Sequence, residues 1–161
     1  MLKVVYFGQN DGLQGPDVKL TGDPGTDNTT LLTAGYLGGK VVAIKLSATA
    51  GRGNVVVPCD AATMVPYGFL LNGPGEFAGA IGPSGSGKIS IVRAFPNILI
   101  DTQAYLTTDT FVEGAPVYCG SGANAGLVTA EVPAAGFKAA IGTVQLVPTA
   151  SSPWLGIASL L

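Results

Sequence analysis

Apolar residues along this chain recur at alternate positions in short runs, and Gly or Pro cuts each run before a helical period can develop. Only two long stretches lack both breakers. In residues 40–50, Val42, Ile44 and Leu46 fall on one side and Lys45 on the other, the pattern of a half-buried strand. In residues 97–113, Ile98, Ile100, Thr102, Thr107, Thr108, Thr110 and Val112 carry branched β-carbons that favour extended backbone over helix. Further strands are expected at residues 3–7, 54–57, 67–71, 88–95, 117–119, 127–129, 141–147 and 155–160, with room for a single helical turn at 59–64. Punctuation such as Gly38-Gly39, Asn72-Gly73-Pro74-Gly75 and Gly120-Ser121-Gly122 separates them. Short strands joined by Gly/Pro turns predict an all-β fold, a small antiparallel β-sandwich or barrel-like domain.

The first thirty residues read differently. Behind the apolar stretch Val4, Val5, Tyr6 and Phe7, the acids Asp11, Asp17, Asp23 and Asp27 are spread among Gly, Asn, Thr and Pro. This composition predicts an extended N-terminal arm or long loop over residues 1–30, ahead of a single β domain over residues 31–161. Val4, Tyr6 and Phe7 are the candidate intersubunit contacts, because apolar and aromatic side chains on an arm commonly anchor interfaces. They would otherwise pack on their own domain, as would Trp154 near the other end.

A length of 161 residues allows one ordinary domain plus an arm. Charged residues are 11% of the chain against 47% apolar, so much of its surface must be uncharged. The formal charge is −2 and no basic cluster occurs, which argues against nucleic acid as a partner, since phosphate binding relies on gathered cations. The absence of histidine removes the commonest general base and metal ligand. Neither a signal peptide nor a transmembrane run is expected from the sequence, and no membrane partner. Cys59 and Cys119 match no zinc or redox spacing; they are either small reduced hydrophobes or a disulfide formed on exposure to an oxidising medium.

Three motifs invite chemistry, and each has a simpler reading. Gly82-Pro83-Ser84-Gly85-Ser86-Gly87-Lys88 reproduces a phosphate-binding loop as far as its lysine. Ile89 then stands where a Mg²⁺-binding hydroxyl belongs, and alternation from Ile89 onward predicts a strand where the helix N-terminus should sit. A hairpin or interstrand loop is expected instead. Its serines lack a nearby base and the final Gly of a nucleophile elbow. Glu76, Glu113 and Glu131 each lie in or beside turn signals and are expected to be solvated rather than paired for acid–base work. Asp23-Pro24-Gly25-Thr26-Asp27-Asn28 gathers oxygens without the spacing of an EF-hand, and turn-forming Asx residues account for it. No catalytic residue, cofactor or metal ligand is assigned.

From Ala80 onward the chain resembles the decoration, or cement, proteins of tailed-bacteriophage heads. The pieces that carry the likeness are Ile100-Asp101-Thr102 with Tyr105, Phe111 leading into Glu113-Gly114-Ala115-Pro116-Val117-Tyr118, Gly126-Leu127-Val128-Thr129, Ile141-Gly142-Thr143-Val144 and Leu155-Gly156-Ile157. The resemblance covers about half the chain and lies in the order of the pieces rather than in any one of them. It implies a non-enzymatic virion protein on the outer surface of the capsid, made in the host cytoplasm, bridging subunits of the major capsid protein. It also implies self-association, with trimers common in the group. A tail or fibre module that binds a host surface is the alternative, followed by a small non-viral β ligand-binding domain.

Overall fold

A computed structural model describes residues 2–6, 18–20, 38–46, 54–70, 88–89, 91–92 and 98–161. Its regular structure is β-strand, apart from one 3₁₀ turn at Gly122–Asn124. The strands are β1 (Leu2–Tyr6), β2 (Val18–Leu20), β3 (Val41–Leu46), β4 (Asn54–Pro58), β5 (Gly68–Leu70), β6 (Lys88–Ile89), β7 (Ile91–Val92), β8 (Leu99–Thr102), β9 (Pro116–Cys119), β10 (Val128–Thr129), β11 (Gly142–Leu146) and β12 (Leu155–Ser159). The expected all-β class is therefore found. The place where a helical turn had room holds a turn closed by hydrogen bonds from Thr63 and Met64 N–H to the carbonyl of Asp60.

The strands form two six-stranded sheets. The first has the order β1-β8-β12-β11-β9-β10, with every neighbouring pair antiparallel. It bends back on itself: Tyr105, just beyond β8, makes a parallel bridge with Val128 of β10. Val128 N–H donates to Ala104 O at 2.9 Å and Leu106 N–H to Val128 O at 2.9 Å. The second sheet has the order β6-β2-β4-β3-β5-β7, antiparallel except for the parallel β2–β4 pair. Its two outermost strands, β6 and β7, are separated in the chain by Ser90 alone. Since two peptide steps span at most about 7 Å, the sheet curls until its edges meet.

Residues 1–30 contribute a strand to each sheet. β1 lies along β8, with Leu2 opposite Thr102 and Val4 opposite Ile100, and β2 lies between β4 and β6. The rest of that stretch is outside the described residues.

One hydrophobic core joins the sheets. Val41, Ala43, Cys59, Ala61 and Phe69 come from the second sheet and its turns, and Ile98, Ile100, Val117, Cys119, Val128, Ile141, Val144, Leu155 and Ile157 from the first. The beginning of β3 departs from the half-buried pattern, because Val41, Val42 and Ala43 are all buried. Alternation turns Val41 and Ala43 into the shared core and Val42 to the opposite face of the curled sheet. A curled sheet covers both faces of its middle strands, so a strand there loses its solvated side.

Candidate functional site

The sheets meet at a seam around Cys59 and Cys119. Cys59 follows β4 directly and Cys119 ends β9. Backbone bonds stitch the two together. Val41 N–H donates to Gly126 O at 2.8 Å, Gly126 N–H to Cys59 O at 2.7 Å, Cys59 N–H to Val41 O at 2.9 Å and Ala61 N–H to Gly120 O at 3.1 Å. Asp60 adds a side-chain clasp, its Oδ1 accepting from Ala62 N–H at 3.0 Å and from Gly122 N–H at 3.1 Å. Thr102 makes a second link, donating to Gly39 O at 3.1 Å and accepting from Ala104 N–H at 3.0 Å.

Gly126 suits its place for two reasons. Its φ of +79° is strained for a residue with a β-carbon, and a Cβ there would lie 3.1 Å from both Pro58 Cβ and Val41 O. At Gly136, φ +76°, an added Cβ would collide with the backbone carbonyls of Ala61 and Ala62.

The two thiols are free and fully buried. Cys119 Sγ lies 3.3 Å from Cys59 O and 3.4 Å from Gly120 O, both within range of a thiol donor. A hydrogen bond between the sulfur atoms, followed by burial, pushes the Cys59 thiol above its ordinary range. That same bond holds Cys119 below it, helped by the Gly126 and Ala61 N–H groups and opposed by burial.

Beside the Tyr105–Val128 bridge lies an open hollow of about 350 Å³, lined by Tyr105, Asp109, Phe111, Val147, Thr149 and their neighbours. Tyr105 and Phe111 meet edge to face with centroids 5.5 Å apart. Asp109 turns inward, its Oδ2 accepting from Thr129 Oγ1 at 2.5 Å and from Ala130 N–H at 2.8 Å. Those bonds tie the loop that carries it to β10 and the residue after it. Exposed apolar side chains are scattered over the surface, namely Val65, Val112, Val132, Leu146 and Leu160.

The residues singled out in the sequence fall as follows. Val4 and Tyr6 sit in β1, opposite Ile100 and Leu99, with a register shift between them. Phe7 and the acidic segment 23–28 lie outside the described residues, as do residues 82–87 of the phosphate-loop-like motif. Lys88 and Ile89 belong to β6 and pair with Lys19 and Val18, so extended strand follows that motif where a nucleotide site needs a helix. Glu113 and Glu131 are exposed in turns, and Glu76 is outside the described residues. Among the described residues no group of three or more metal-ligating side chains converges, and no helix is long and apolar enough to cross a membrane.

The seam itself was missed at the sequence level, because linear spacing does not show that Cys59 and Cys119 touch. Comparison with known proteins returns no match: no family model fits the chain, and no curated protein or solved structure is significantly similar to it.

Proposed function

We propose that this chain is a structural virion protein that decorates and stabilises a phage capsid by bridging its major capsid protein subunits. The observation that carries the reading is the combination of the strand-and-turn order read in residues 80–161 with a chain poor in charge. Charged residues are 11% of the chain, and large apolar side chains such as Val65 and Leu160 stand more than half exposed. Such a surface suits contacts with other proteins, where charged groups are depleted at the interface centre.

Binding across several subunits needs no single large patch. Each added contact acts at high effective concentration once the first has formed, so patches of about 800 Å² per partner suffice. The outer edge of β1 faces away from β8, and among the described residues no strand pairs with it. An edge of that kind accepts a strand from a neighbouring subunit through main-chain hydrogen bonds. Self-association, with a trimer as the expected form, and a place on the outer capsid surface belong to the same proposal.

The test is a heat challenge of expanded heads assembled without this protein. Added chain is expected to raise the melting temperature of the heads, whereas an unchanged melting temperature at saturating chain would refute the proposal.

A further inference from the structure

We infer that Cys59 and Cys119 are an oxidisable pair whose intrachain disulfide locks the two sheets together at the seam. The inference rests on the seam geometry alone and is independent of the capsid reading. Cys119 Sγ lies 3.3 Å from the backbone carbonyl of Cys59, and the surrounding backbone is held by the Val41–Gly126–Cys59 hydrogen-bond relay and by the Ala61–Gly120 bond. Both residues are fully buried, which excludes bulky oxidants from the native state and selects a small one.

Hydrogen peroxide is the simplest oxidant of the required size. The Cys119 thiolate attacks one peroxide oxygen, the O–O bond breaks, and hydroxide leaves, giving Cys119 sulfenic acid. The Cys59 sulfur then attacks that sulfenic sulfur. The S–S bond forms, the S–O bond breaks, and the departing hydroxide takes the Cys59 proton as water. Overall two thiols and one peroxide become one disulfide and two waters, with each sulfur giving up one electron.

The link would span 60 residues of sequence and join the second sheet to the first. Closing a loop of that size restricts the unfolded chain strongly, and the expected rise in Tm is about 10 °C.

The experiment treats the folded, reduced full chain with dilute hydrogen peroxide, quenches with catalase, and follows intact mass, thiol count under denaturing conditions and Tm. The expected result is a mass lower by about 2 Da, a Cys59–Cys119 linkage in the peptide map, and a raised Tm that a dithiol reductant reverses. A Cys59→Ala variant, treated alike with dimedone present, is expected to trap sulfenic acid at Cys119. Two intact thiols in the treated wild-type chain, a linkage between chains instead of within one, or oxidation of Cys119 to sulfinic acid would each overturn the inference. The wild-type readouts decide the matter even if the variant fails to fold.

Discussion

Gly114 and Gly126 have the same backbone conformation, φ +79°, in opposite surroundings, so alanine at each separates backbone strain from crowding. Nothing lies within 4 Å of a Cβ built on Gly114. Its substitution therefore costs only the left-handed strain, about 1 kcal/mol, partly offset by about 0.5 kcal/mol from the less flexible unfolded chain. A Cβ on Gly126 meets Pro58 Cβ and Val41 O at 3.1 Å and Lys40 Cδ at 3.2 Å. The lysine stem can swing aside, but the proline ring and the carbonyl cannot. Moving Gly126 outward stretches its 2.8 Å bond from Val41 N–H and its own 2.7 Å bond to Cys59 O. Overpacking of this kind adds about 1–3 kcal/mol, which lowers Tm by about 3–9 °C for a chain of this size. Scanning calorimetry of the two variants beside wild type measures the difference. Gly136→Ala, directed at two backbone carbonyls, should lose more than Gly126→Ala. If Gly126→Ala melts within error of Gly114→Ala, the seam is not packed as described and the reasoning fails.

Three further outcomes are expected. Thr102→Val removes the hydroxyl that serves Gly39 O and Ala104 N–H, leaving two buried backbone groups unpaired, and should cost about 1–3 kcal/mol in urea unfolding; an unchanged midpoint would mean that water replaces the hydroxyl. Burial lowers the Lys40 pKa below that of an ordinary lysine, so in the alkaline range the folded chain binds fewer protons than the unfolded one. This group's penalty is fully present at neutral pH and is relieved as pH rises through the folded pKa, and Lys40→Met should flatten that part of a stability-versus-pH curve; identical curves for variant and wild type would contradict it. ATP with Mg²⁺ should give no thermal shift in wild type or in Lys88→Met, because strand follows the lysine of the phosphate-loop-like motif; a shift in wild type that the variant abolishes would restore a nucleotide site.

How much of this was legible in the sequence differs from element to element. β11, β12, β9 and β4 could be read within a residue or two, because each is an apolar run bounded by Gly, Pro or polar turns. β2 was not, since Val18-Lys19-Leu20 is too short to show a period and owes its extended form to pairing with β4 and β6. The run from Lys88 read as one strand, and the structure splits it between the two edges of a curled sheet, a consequence of closure that local pattern cannot express. The burial of Val42 has the same origin. At the candidate site, the failure of the phosphate-loop motif was visible at Ile89, whereas the Cys59–Cys119 contact depends on how two sheets dock and has no local signature. Gly126 stood in the sequence as one turn glycine among many; its left-handed φ and its contact with Val41 and Pro58 single it out.

If the chain decorates capsids, the folded chain co-sediments with expanded heads assembled without it. The chain is expected to pellet with the heads, to saturate at a fixed ratio to the major capsid protein, and to remain in the supernatant when heads are omitted. A chain that keeps its β-sheet circular dichroism yet stays in the supernatant at every head concentration would contradict the account.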